Sequence, residues 1–156
     1  MNPSNPETQL PEIQLLVRQI ESDDATAVSE LVAQLGYQRT AQQILDWIAA
    51  FDPRSQTAFV ACTGTEVVGW IEVSLEHRLQ SAPFAFIGGL VVAEGKRGKG
   101  IGRQLCRRAE QWGWDHGAEI IRVTSRSTRH DAHRFYVRDG YQAVKTSLVF
   151  AKDRPG

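Results

Sequence analysis

Residues 84–102 constrain what this chain can fold into more than any other stretch. Phe84 to Val92 is an apolar run with the composition of a buried strand. It feeds Ala93-Glu94-Gly95-Lys96-Arg97-Gly98-Lys99-Gly100-Ile101-Gly102, which holds four glycines in its last eight residues. From Gly100 to His116, Ile101, Leu105, Ala109 and Trp112 recur along one side of a helix that Gly117 ends. A strand, a glycine-rich loop and a helix in that order belong to an αβ fold that binds its ligand at the loop. Glycine lets the backbone approach a ligand closely and take positive φ angles. The first amides of the helix lack internal partners, and the helix dipole favours an anion beside them. Lys96, Arg97, Lys99, Arg103, Arg107 and Arg108 follow one another with no acid between them. The chemistry this suggests is phosphate binding.

Two familiar phosphate loops do not fit. Gly95 and Gly100 have the Walker spacing, but Ile101 follows where the lysine that reaches the phosphates should stand. Gly98 and Gly100 suit the dinucleotide pattern, but Arg103 takes the place of its third glycine. Glu119, at the right distance for a ribose-binding acid, falls at the start of its strand and not the end.

The rest of the chain reads as elements around this centre. Ile13 to Ile20 suits a first strand. Ser22 offers a helix N-cap, followed by Val28, Leu31, Val32 and Leu35 at helical spacing, with Gly36 to end the helix. Thr40 and Gln43 have the form of a capping box for a second helix carrying Ile44, Ile48 and Phe51 and stopped by Pro53. Thr57–Cys62 and Glu66–Glu76 read as antiparallel strands turning at Gly64, and Pro83 closes a polar connection before the apolar strand. Glu119–Thr124 is a further strand, Ala132, Phe135 and Tyr136 mark a short helix ended by Gly140, and Tyr141–Lys152 supplies a bent strand or hairpin. The order β-α-α-β-β-β-α-β-α-β gives one α/β domain over residues 12–152, a mixed sheet flanked by helices, with tails at 1–11 and 153–156.

Composition excludes several classes. A chain of 156 residues with 42% apolar and 23% charged residues has the makeup of one globular domain. No apolar run approaches the ~20 residues of a membrane span, and the start lacks the pattern of a signal peptide, so a cytoplasmic protein with no membrane partner is expected. Cys62 and Cys106 form no C-x-x-C pair and read as buried thiols. His130 and His133 have no third ligand, so no metal site is expected. Net charge is zero, and no aromatic platform interleaves the basic residues, which argues against nucleic acid. Residues 1–80 hold four Lys and Arg against eleven acids, and residues 81–156 hold fourteen against seven. A basic half suits an anionic ligand, and an acidic half suits a cationic one.

What the loop does match is R-x-x-G-x-G, as Arg97-Gly98-Lys99-Gly100-Ile101-Gly102. With Leu90-Val91-Val92 before it and Ala132-His133-Arg134-Phe135-Tyr136 and Gly140-Tyr141 after it, the sequence resembles the GNAT superfamily of acyl-CoA-dependent N-acyltransferases. The resemblance covers about residues 13–152. It implies a GNAT-like mixed, mostly antiparallel sheet and acetyl-CoA as co-substrate. The backbone of Leu90, Val91 and Val92 would pair with the pantetheine arm, and the amides from Arg97 through Gly98, Lys99, Gly100 and Ile101 to Gly102 would hold the pyrophosphate, with Arg103 in the basic surround. Tyr136 would be the general acid that protonates the departing thiolate. Phe135 and Tyr136 point about 100° apart on their helix, so Phe135 would enter the core and Tyr136 the groove. Many members carry an acid on the strand before the loop. Here that strand reads Phe84-Ala85-Phe86-Ile87-Gly88-Gly89, and Glu72 is the first candidate for the general base, ahead of Glu76 and His77. Gly88-Gly89 marks a bulge or a close backbone approach. The acceptor implied is a primary amine on a small molecule or peptide, attacked directly in a ternary complex, and a homodimer is compatible with the family. The absent acid motivates a second reading, a non-catalytic acyl-CoA sensor; a nucleotide-binding protein is a third.

Overall fold

In the computed structural model residues 14–156 are described. They fall into two units, one ending at Val123 and one running from Thr124 to Gly156. Alternating and continuous apolar patterns in the first unit give five strands: β1 Leu15–Gln19, β2 Gln56–Thr63, β3 Glu66–Arg78, β4 Ser81–Val92 and β5 Ile120–Val123. They lie in that order in one sheet. β1 to β4 pair antiparallel, and β5 joins β4 in parallel, so the sheet is mixed and mostly antiparallel as the sequence indicates.

Two helices, α1 (Ala25–Ala33) and α2 (Ala41–Ala50), pack on one face. Val28, Leu31 and Val32 are buried there with Ala58, Val60, Cys62, Trp70 and Val91, and Ile44, Trp47 and Ile48 close over them. The Thr40–Gln43 capping box forms as read: Gln43 N–H donates to Thr40 Oγ1 at 3.1 Å, and Thr40 N–H donates to Gln43 Oε1 at 3.0 Å. Helix α3 (Ile101–Asp115) covers the opposite face and buries Ile101, Leu105, Cys106, Ala109, Trp112 and Gly113. It lies so close at Gly113 that an added Cβ would sit 2.7 Å from Ala85 Cβ and 2.9 Å from Ile121 Cδ1. The second unit contains α4, His130–Arg138.

Four expectations are corrected. Ser22 does not cap α1: Ser22–Asp24 is a 3₁₀ turn, and Asp24 holds it by accepting from Glu21 N–H at 2.8 Å. The Asp24 carboxylate is also gripped by both terminal nitrogens of Arg18 at 2.8 Å, which holds its pKa below the usual carboxylate range. Pro83 lies inside β4, at a shift in register between Glu76 and Arg78 where the ladder asks for no N–H from it. Phe135 does not reach a core, because α4 buries no residue; a unit of fewer than ~40 residues rarely builds one alone. Tyr141–Lys152 forms neither strand nor hairpin. A strand needs a partner and a buried face, and Val149 and Phe150 are 93% and 88% exposed. Ile13, which the reading put in the first strand, and the tail at 1–11 lie outside the described residues.

Candidate active site

The loop between β4 and α3 has the conformation its glycines suggest. Gly95, Gly98 and Gly100 lie at φ near +80°, and an added Cβ at any of them would meet no atom within 4 Å. The loop is therefore open to an incoming group on the sides where side chains would be. Gly100 is the N-cap of α3 in the left-handed region and supplies no side chain to the first-turn amides. Arg97, Lys99 and Arg103 are exposed around it. Arg108 turns away and stacks on Phe59, 4.5 Å from the ring centroid.

Gln34, which nothing in the sequence reading singled out, steadies the loop entrance: Glu94 N–H donates to Gln34 Oε1 at 3.1 Å. The contact joins positions 60 residues apart and has no local signature.

Next to the loop, β4 presents an open edge. On one side it pairs with β3 through Ile71↔Leu90, Trp70↔Val91 and Gly69↔Val92. On the other, β5 pairs only with Phe84 to Ile87. Among the described residues no strand pairs with that side of Gly88–Val92, which leaves a row of backbone donors and acceptors available.

The bulge expected at Gly88-Gly89 is present, and what approaches the two glycines is side chain and not backbone. Glu72 pairs with Gly89 and Val73 with Ile87, so Gly88 is the extra residue of a bulge. Trp70 lies against Gly89, where an added Cβ would come within 2.6 Å of its ring. The Glu72 carboxyl lies 3.6 Å from where a Gly88 side chain would begin. It is half-buried, it makes no hydrogen bond or ion pair among the described residues, and burial pushes its pKa above the usual carboxylate range. Of the other base candidates, Glu76 accepts from Ser74 Oγ at 2.8 Å and His77 is exposed.

In the second unit Tyr136 is half-buried on α4, its ring edge-on to Phe135 at 5.2 Å and to Tyr141 at 5.6 Å. His133 Nε2 meets the carbonyl of Arg126 at 2.9 Å. Among the described residues no group of three His, Cys, Asp or Glu could hold a metal ion, and no helix is long and apolar enough to cross a membrane.

Comparison with known proteins places this architecture. The description of the acetyltransferase (GNAT) family matches residues 17–141. An aminoalkylphosphonate N-acetyltransferase of Salmonella typhimurium is 34% identical over 130 residues, covering 81% of this chain and 84% of that protein. The crystal structure of a transcriptional regulator from Bacillus halodurans superposes with a TM-score of 0.79 at 25% identity, over 89% of this chain and 100% of that one. The aminoglycoside N-acetyltransferase AAC(6')-Iy, solved in complex with CoA, gives 0.78 at 18% identity, over 89% and 95%, a likeness of fold. With the open glycine loop at the head of α3, the family match and the Salmonella relative identify the chain as a member of the GNAT family and an N-acetyltransferase.

Proposed function

We propose that this enzyme takes its acetyl group from acetyl-CoA and passes it directly to a primary amine in a ternary complex. The observation that carries the reading is the pairing of an open glycine loop at the N-terminus of α3 with the open edge of β4 at Gly88–Val92. The amides of residues 97–102, with Arg97, Lys99 and Arg103 around them, fit a pyrophosphate. The edge from Leu90 to Val92 fits an extended chain bearing amides, such as the pantetheine arm.

The residues then divide the chemistry. A simple amine is mostly protonated at neutral pH and attacks only as the free base. Glu72, unpaired and with a raised pKa, takes that proton directly or through a water. A strand N–H near Val92 stabilises the tetrahedral oxyanion. Tyr136 donates a proton to sulfur as the thioester breaks. Direct attack needs no acyl-enzyme, and residues 12–152 act as one catalytic domain. The acceptor is a small amine, and the substrate class in the Salmonella relative's name, an aminoalkylphosphonate, is the first to try. The two buried free thiols, Cys62 and Cys106, support a reducing, cytoplasmic setting.

Tyr136→Phe tests the reading, since it removes one oxygen and keeps the ring. General acid catalysis contributes about 10²–10⁴-fold. With water as a substitute donor, we expect kcat for amine-dependent thiol release to fall at least ~10-fold. Acetyl-CoA affinity and melting temperature should stay near those of the parent. An unchanged kcat would remove Tyr136 from the mechanism.

A further inference from the structure

The face of the sheet that carries Glu72 also carries two arginines that the mechanism above does not use. Residues directly opposite in adjacent strands share a face. Glu76 pairs with Phe84, Ser74 with Phe86, and Phe86 with Arg122, which puts all five on one side of the sheet. Glu72 follows by alternation along β3 and by its approach to Gly88. Ala85 and Ile121 point the other way, into α3. On the Glu72 side the guanidinium carbon of Arg122 lies 4.4 Å from the Phe84 ring centroid and that of Arg78 lies 5.0 Å from it.

Stacking on the Phe84 ring, itself only 2% exposed, gives each arginine an apolar contact but no anionic partner. Like charges gathered on a single ring repel. Elsewhere in the unit Arg18 is bound to Asp24 and Arg54 to Asp52. Arg78 and Arg122 have two acids on their own face, Glu72 and Glu76, yet neither lies within ion-pair distance of any carboxylate among the described residues. Glu76 turns to Ser74 instead. A half-buried carboxyl and a pair of uncompensated guanidiniums thus share one face of the sheet. Arg122 stands two strands across from Glu72 and two to three residues along, so their backbones are roughly 12 Å apart. Two long side chains reaching inward span that distance around a ligand of a few atoms.

We propose that Arg78 and Arg122 bind an oxyanion carried by the acceptor, so that the amine acetylated belongs to a small zwitterion bearing a phosphonate or a similar acid group. Glu72 takes the amino end, and the guanidiniums take the acid end through charge-assisted, fork-shaped hydrogen bonds. The inference rests on the acyl-transfer reading above for the role of Glu72.

The test compares 3-aminopropylphosphonate with butylamine as acceptors for the parent enzyme, Arg78→Met, Arg122→Met and the double variant. Methionine keeps an apolar stem over Phe84, and melting curves establish that each variant is folded. We expect the parent to favour the phosphonate in kcat/KM. Each single change should cut that preference by about tenfold, the usual size of one charged hydrogen bond, and the double variant should abolish it. Arg122→Lys should recover only part, because it restores charge without the fork. Calorimetric titration of the phosphonate, with no acetyl-CoA present, reads the same contacts without turnover. A parent that shows no preference, or a double variant that keeps it, overturns the proposal and leaves acetyl transfer standing. An enzyme that binds the phosphonate through these arginines but acetylates no amine would instead overturn the acyl-transfer reading alone.

Discussion

Glu72 shows how much one side chain depends on its surroundings. Its carboxyl is half-buried with no partner among the described residues, and desolvation alone raises its pKa. A carboxyl whose folded pKa is raised contributes most to stability below its unfolded pKa, and that contribution is lost as pH rises through the folded value. Ionising this carboxyl in the folded protein therefore costs more than ionising it in the unfolded chain. Glu72→Gln should raise the melting temperature at pH 7, and the gain should vanish below about pH 4, where the unfolded carboxyl is also protonated. The same change should lower kcat/KM by at least ~10-fold and remove the acid limb of its pH profile. A variant that is no more stable at pH 7, or that keeps its acid limb, would contradict the assignment. Asp24 behaves the opposite way: Arg18 lowers its pKa, so its contribution holds at neutral pH and is lost on acidification. The Arg18 grip joins β1 to the turn after it and leaves no spacing signal in the sequence.

Helix α3 has two glycines with different work to do, and substitutions there should separate binding from packing. Gly102 lies in the first turn and is not among the positive-φ glycines. Gly102→Val places a branched side chain beside the anion site at no helix-propensity cost, since valine ranks above glycine, so it should weaken acetyl-CoA binding at least ~10-fold with little loss of stability. Gly113→Ala adds one methyl where Ala85 and Ile121 already press. It should cost about 1–3 kcal/mol through overpacking and leave acetyl-CoA affinity close to that of the parent. Calorimetry and thermal melts on the two variants check both halves, and a reversal of the pattern would refute the division. Local chemistry made α3 readable: Gly100 before it, Gly117 after it at φ +91°, and a buried stripe between. Tyr141–Lys152 shows the reverse. Its apolar residues suggest a strand, but strand propensity is realised only against a partner, and the pattern names none.

Across the molecule the two halves of the sequence carry opposite charge, and in the first unit the charges gather in different places. Glu21, Asp23, Asp24, Glu30 and Glu66 line a concavity beside α1 with Arg18 among them, while Lys96, Arg97, Lys99 and Arg103 gather at the glycine loop. Net charge is zero, so attraction of an anionic ligand rests on local charge such as that of the basic loop. Raising ionic strength from about 0.05 to 0.2 M shortens the screening length by about half. It should raise the KM for acetyl-CoA severalfold with little change in kcat. A KM independent of salt would argue that backbone amides alone hold the pyrophosphate.

The sequence by itself determined the element order through α4, the mixed sheet, the glycine loop and the family resemblance, because each of these rests on local periodicity, capping or turn chemistry. The Thr40–Gln43 box and the Gly88-Gly89 bulge belong to that class. Tertiary structure decided what depends on register between strands. It set Glu72 against the bulge, left the β4 edge open beyond Ile87, reached Gln34 across to Glu94, and brought Arg78 and Arg122 onto one ring. Positions 44 residues apart, such as 78 and 122, share a face only because β4 lies between β3 and β5, and no periodicity within a single strand records which strand will lie beside it.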